Sequence, residues 1–208
     1  VSTAQRADIL IIVGATGSGK SLQVKAQLAK RRPKRLLIWD PQAEYEQLAS
    51  SVPTIAAAVE QVRLADTRGG LSLVFVPSPD PKLAWRQFDL WCQLAFQAGR
   101  CTLLAEELSG VTRPSGSPPG WLRVITQGRH RALSVIGTTQ RPALVDKTAL
   151  DNATTVRCGR LNSAASRRYM ADLLDVPADQ LAQLQALEWV EKDLHTGRLR
   201  RYTVAPPR

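Results

Sequence analysis

Residues 14–21 read Gly-Ala-Thr-Gly-Ser-Gly-Lys-Ser, a complete G-x-x-x-x-G-K-[ST] match. The motif needs a strand before it and a helix after it. Both are legible. Ile-Leu-Ile-Ile-Val at 9–13 is a short, continuous apolar run, suited to a strand buried on both faces of a parallel sheet. A helical pattern runs from Lys20 to Arg31 and stops at Pro33. The glycines let successive backbone N–H groups turn into one anion nest, and the helix N-terminus adds partial positive charge. Candidate nucleotide-binding residues are therefore Gly14, Ala15, Thr16, Gly17, Ser18, Gly19, Lys20, Ser21 and Leu22. Lys20 is expected to reach the β- and γ-phosphates of ATP, and the Ser21 hydroxyl to ligate Mg²⁺.

The remaining chain alternates strand and helix patterns. Strands are predicted at 36–39, 71–76 after the Gly69-Gly70 turn, 102–105, 134–137 and 154–157. Helices are predicted at 81–98, closed by Gly99, at 121–130 and at 163–174. A Pro/Gly/Ser-rich flexible loop is expected at 113–120. A β-hairpin is expected from 188–191 and 198–204 around Thr196-Gly197, with a frayed tail at 205–208. The pattern implies a single three-layer α/β domain over 1–208, with a mostly parallel central sheet flanked by helices.

Strand 102–105 ends at Glu106-Glu107. Ligands of open α/β sheets bind at the C-terminal ends of strands. Adjacent residues there point different ways, so the two carboxylates can divide the work. Glu106 is assigned to the Mg²⁺ shell and Glu107 to proton abstraction from the attacking water. Gln140, after the 134–137 strand, is placed to touch the γ-phosphate or that water. Asp40 reads equally as an outer-shell group or as an Asp-Pro turn former. Arg129, Arg131, Arg141, Arg157 and Arg160 are candidates for stabilising charge on the transferring phosphoryl group; the sequence does not choose among them.

Charge widens the picture. Lys+Arg 28 against Asp+Glu 18 gives +10 and a pI near 10.2, which calls for a polyanionic partner. The stretch 113–147 holds six Lys or Arg against the single acid Asp146, and could couple a nucleotide site to a phosphate backbone. Trp121 could stack on a base or pack in the core. Three scattered cysteines suit neither a disulfide framework nor a zinc site. No apolar run approaches the roughly 18 residues of a membrane span, and no signal peptide is visible. His130 and His195 form no metal spacing.

Four segments together resemble the HerA–FtsK group of P-loop ATPases. They are 14–21, Trp39-Asp-Pro-Gln-Ala-Glu44-Tyr45, 103–107, and Gly137-Thr-Thr-Gln140-Arg141-Pro142. The 184–190 stretch and the closing hairpin fit more weakly. One departure is the acidic motif, usually Asp-Glu in this group and here Glu106-Glu107. The resemblance implies a RecA-like core, a ring oligomer, usually of six subunits, and ATP-driven movement of double-stranded DNA without base specificity. Arginines of one subunit would complete the next subunit's site. The length fits a minimal motor core like those of genome-packaging ATPases of membrane-containing icosahedral viruses. Expected partners are then DNA, further copies of the chain, and a capsid-vertex or membrane-associated viral protein, in the cytoplasm or the virion. A conjugation, plasmid-transfer or filamentous-phage motor core is the alternative, and a P-loop small-molecule kinase a second.

Overall fold

The structure, a computed structural model, describes residues 7–68 and 70–205. Gly69 of the predicted turn and residues 206–208 of the predicted tail lie outside them. In chain order the elements are β1 (Asp8–Val13), α1 (Lys20–Arg31), β2 (Arg35–Trp39), β3 (Ser50–Ser51), α2 (Ile55–Arg68), β4 (Leu71–Phe75), α3 (Pro81–Ala98) and β5 (Thr102–Ala105). Then come α4 (Pro119–Gln127), β6 (Ser134–Thr139), α5 (Lys147–Asp151), β7 (Thr155–Gly159), α6 (Ala164–Leu174), α7 (Ala178–Ala182), β8 (Glu188–Asp193) and β9 (Leu199–Thr203).

Among the described residues all nine strands join one sheet, ordered β3-β4-β2-β5-β6-β1-β7-β8-β9. It is parallel from β3 to β7, and β8 and β9 close it as an antiparallel hairpin. Alternation sorts the core onto two faces. Leu37, Trp39, Leu103, Ala105 and Val135 pack under α2–α7, with Trp39, Phe88 and Trp121 in ring contact at 5.0–5.4 Å. Leu36, Ile38, Leu104 and Ile136 face α1, Tyr45 and Trp189. Trp121 is fully buried in the first cluster, so its role is packing, and base stacking is excluded. Cys92, Cys101 and Cys158 are buried free thiols.

The sheet order carries the functional consequence. β6 lies between β1 and β5, with Val13 beside Thr139 and Ala105 beside Gly137. The C-terminal end of β6 is therefore held between the phosphate loop and the acidic pair.

Several predicted boundaries move; the 71–76 strand ends at Phe75 and the 154–157 strand runs from Thr155 to Gly159. The 113–120 loop ends early, because Pro119 and Gly120 already belong to α4. Proline at the first helical position loses no hydrogen bond, and Asp89 Oδ1 accepts from the Gly120 N–H at 2.6 Å, pinning the helix start to α3. The helix predicted to His130 ends at Gln127, and Gly128–Arg131 tighten into a 3₁₀ turn. The 134–137 strand continues to Thr139. Four further elements have no counterpart among the predicted ones: the two-residue β3, α2, and the five-residue α5 and α7.

Candidate functional site

The loop between β1 and α1 adopts the backbone its glycines permit. Gly17 and Gly19 have φ of 73° and 95°, where an L side chain is strained. A Cβ on Gly14 would stand 2.4 Å from Ser18 Oγ, so the first glycine is required by close approach. The loop is braced from both neighbouring strands: Gly14 N–H donates to Thr139 O, and Ala15 N–H to Arg160 O. Behind it, Leu187 N–H donates to Ser18 O, so the C-terminal segment also anchors the loop. No acidic residue lies in the first turn of α1, and its N-cap makes no side-chain cap bond, leaving first-turn N–H groups for a ligand.

Lys20, Ser21, Gln42, Glu44, Glu106, Glu107 and Gln140 meet the loop around one cavity of 230 Å³. Lys20 Nζ donates to Gly14 O at 2.8 Å and to Ala15 O at 3.4 Å. Burial lowers its pKa; the Glu107, Glu106 and Glu44 carboxylates oppose that shift. Ser21 Oγ donates to Glu44 Oε2 at 2.7 Å, and Thr16 Oγ1 to Gln140 Oε1 at 2.8 Å.

The two adjacent glutamates have different surroundings. Glu106 is buried, with Thr138 Oγ1 donating to Oε2 at 2.6 Å and the Tyr45 hydroxyl to Oε1. Burial raises its carboxyl pKa; the Thr138 and Tyr45 bonds pull the other way. Burial also raises the Tyr45 hydroxyl, so that group stays a donor. Asp40 has a definite structural task, since its Oδ2 accepts from Tyr45 N–H at 2.8 Å and places the tyrosine. Glu107 has a left-handed backbone, φ 51°, uncommon for a residue with a side chain. Its Oε1 accepts from Ser109 Oγ at 2.5 Å, and from Thr139 Oγ1 and Gln140 N–H at 3.3 Å each. These bonds gather Glu107 to the end of β6 and the turn after β5.

The donor set fits Mg²⁺ and a triphosphate. Mg²⁺ takes hard oxygens, commonly one or two carboxylates plus phosphate oxygens and water. The Ser21 hydroxyl and the Glu44 carboxylate bonded to it supply such atoms here, with Glu106 lining the same cavity, beside an anion nest whose shape depends on glycine. Among the described residues no three acidic, His or Cys side chains form a protein-only cage, as suits an ion held largely by phosphate and water.

The candidate arginines separate. Arg160 reaches the loop, its Nη2 donating to Thr16 O at 3.3 Å. Arg131 lies before β6, at the N-terminal ends of the parallel strands and so opposite the phosphate loop, and caps the end of α3 through the Phe96 and Gln97 carbonyls. Arg129 is exposed at that same end, its Nε 3.4 Å from His130 Nε2. Exposed Arg141 follows Gln140, with its N–H on Thr139 Oγ1. Arg157 is committed inside its own chain: it pairs with Glu191 at 2.6 Å and donates to Gln23 and Gln27 of α1, with only 11% of its side chain exposed. Burial would raise the Glu191 carboxyl, but Arg200 and Arg157 together hold it below the usual range.

Arg157→Ala is accordingly expected to cost about 2–4 kcal/mol of folding stability. That is somewhat under a fully orphaned buried pair, because Arg200 still serves Glu191. Chemical denaturation checks this; unchanged stability with lost turnover would return Arg157 to a catalytic role.

Sequence reasoning had given no role to Glu44, Tyr45, Thr138 or Ser109. Glu44 and Tyr45 stand in the Asp-Pro-x-x-Glu-Tyr stretch, which was the available signal. Thr138 carries none, since its contact comes from strand order; Ser109 acts locally, two residues after Glu107 in the tight turn that follows β5.

No profile of a known protein family matches the chain. Protein P9 of Pseudoalteromonas phage PM2 is 30% identical over 179 residues, covering 84% of this chain and 78% of P9. The genome packaging NTPase B204 of Sulfolobus turreted icosahedral virus 2, solved with sulfate, shares the fold at TM-score 0.74, with 16% identity over 97% of this chain and 98% of B204. VirB4 of Thermoanaerobacter pseudethanolicus does so at TM-score 0.71, with 12% identity over 96% and 90%. At 30% identity over 84% of its length, and with its phosphate loop, acidic pair and Gln-Arg-Pro element arranged on the fold shared with B204 and VirB4, the chain belongs to the family of protein P9 of phage PM2.

Proposed function

We propose that the chain hydrolyses ATP with Mg²⁺ to move double-stranded DNA into a viral particle, as one subunit of a ring. The observation that carries the reading is the convergence of Lys20, Ser21, Glu106, Glu107 and Gln140 on one cavity. The +10 charge and the kinship with P9 support a polyanionic, viral setting. Such a motor would work in the cytoplasm or at a packaging vertex; no helix among the described residues is long and apolar enough to cross a membrane.

In this mechanism the loop amides and Lys20 hold the phosphates in line. Ser21 and the Glu106 shell would hold Mg²⁺, which would supply charge neutralisation at the phosphate oxygens. Tyr45 and Thr138 fix the Glu106 carboxylate, so it holds position and does not shuttle protons. Glu107 accepts a proton from the attacking water. Gln140, bonded to both the loop and Glu107, reports on the γ-phosphate. Arg129, exposed and out of reach of its own chain's loop, is the group offered to a neighbouring copy, whereas Arg131 is held by the end of α3. Mixing an inactive Arg129→Ala variant with Glu107→Gln subunits is then expected to restore turnover that neither shows alone.

The test is ATP turnover across protein concentration, with and without duplex DNA, using Glu107→Gln as the blank. A ring motor shows DNA stimulation and a steep rise of specific activity with concentration. Turnover indifferent to both would make the chain a self-contained NTPase.

A further inference from the structure

Outside the nucleotide site, a second cavity of 540 Å³ opens between the start of α3 and the turn after β5. Its walls carry Lys82, Arg86 and Arg113 and no carboxylate. No ion pair involves these three cations among the described residues. The carboxylates nearest in sequence are engaged elsewhere: Asp80 caps α3 through Leu83 N–H, and Asp89 holds Gly120 N–H and Gln93. Half-buried Trp85 forms the floor, with the Arg113 guanidinium 5.7 Å from its ring centre. Arg113 is also fixed from behind, since its backbone exchanges two hydrogen bonds with Gly116.

A guanidinium held against an indole, with two more cations one helical turn apart, suits the oxygens of successive phosphodiesters. Ser109 lines the same groove, and its hydroxyl donates to Glu107. An adjoining cavity of 580 Å³ shares Pro81 and Gly110 with the groove and runs on to Glu107. The other basic hollow, at the N-terminal ends of the parallel strands, lacks both features: its Arg31 is already paired with Asp8, and it lies at the end of the sheet opposite the phosphate loop.

We propose that the groove formed by Lys82, Trp85, Arg86 and Arg113 binds the phosphate backbone of duplex nucleic acid, and that Ser109 links its occupancy to Glu107. This rests on the DNA-motor reading above. Binding here is independent of base sequence and falls with salt.

The chain supplies its own reporter. Trp39, Trp91, Trp121 and Trp189 are completely buried, so collisional quenching by acrylamide reads Trp85. A mixed-sequence 30-base-pair duplex is titrated into the full chain while quenching and fluorescence anisotropy are followed. Duplex binding should abolish the quenchable component, which Trp85→Phe should lack from the start. Lys82→Ala/Arg86→Ala/Arg113→Ala should weaken binding about ten-fold or more and flatten the log–log salt slope by about 2–3, near 0.9 per lost phosphate contact. Its basal ATP turnover should be unchanged and its DNA stimulation lost. The matched control Lys25→Ala/Lys30→Ala/Lys34→Ala, in the cluster at the end of α1, should bind like wild type.

Duplex binding that leaves Trp85 quenchable, or a triple variant that binds like wild type, overturns the groove and leaves the motor standing. A wild-type chain that binds no duplex at low salt overturns the motor reading and the groove together. Equal protection of Trp85 by polyglutamate at matched charge would make the groove a site for acidic protein instead.

Discussion

Glu107→Gln is expected to bind ATP as the wild type does and to hydrolyse it about 10²–10⁴-fold more slowly, the usual contribution of a positioned general base. The substitution is close to isosteric, and an amide oxygen can still accept from Ser109, Thr139 and the Gln140 N–H, so the site keeps its shape. What disappears is the ability to take a proton. Glu106 cannot substitute: it is buried, and both its oxygens are engaged by Tyr45 and Thr138. Burial also raises its carboxyl pKa and keeps it from contact with bulk water. Single-turnover hydrolysis and nucleotide binding by calorimetry separate the effects. Turnover within a few-fold of wild type would remove Glu107 from its role, and lost binding would mean that it holds the nucleotide.

The same pair shows how far a sequence carries such an argument. Two carboxylates at a strand end could be seen at once, as could the strand before the phosphate loop and the helix after it, because each signal lies within a few residues. α1, α3 and β5 fall where their periodicity and breakers put them. Alternation alone suggests different roles for Glu106 and Glu107. The difference in their surroundings lies in contacts 31–61 residues away in the chain, from Thr138, Tyr45 and Thr139. Those contacts exist because β5 lies between β2, which leads to Tyr45, and β6, which carries Thr138 and Thr139, and strand order leaves no local trace in sequence.

The missed elements have related causes. α2 is rich in alanine, and its buried face rests on Ala58, Val62 and Ala65, which give little contrast in hydrophobicity. Its start was signalled by Thr54, whose hydroxyl accepts from Ala57 N–H at 3.1 Å. α5 and α7 span only five residues each, too few for a helical repeat to show. The arginines were the hardest case. Arg157 and Arg160 look alike in sequence; one is spent on Glu191 and α1, and the other touches the phosphate loop, because strand pleat and strand end send them to different surroundings.

Lys20→Ala should weaken binding of the ATP–Mg²⁺ complex about 10–150-fold, the range spanned by losing charge-assisted hydrogen bonds worth about 1.5–3 kcal/mol. Lys20 Nζ rests on the Gly14 and Ala15 carbonyls, at the mouth of the nest whose shape Gly17 and Gly19 set. Burial works against its charge, and three glutamates work for it. A triphosphate entering the nest would bring far more negative charge, so the ammonium gains most when the nucleotide is bound. Removing it has a second consequence: Glu44, Glu106 and Glu107 then face the phosphates with no protein cation of Lys20's kind between them. The loss should therefore be greater without Mg²⁺ than with it, which distinguishes a charge-balancing lysine from one that merely braces the loop. Titrating a fluorescent ATP analogue against wild type and variant, with Mg²⁺ and with chelator, reads both quantities. Equal affinities would refute the phosphate assignment of Lys20. An affinity loss of the same size in both conditions would leave it holding phosphate but deny that it offsets the carboxylates.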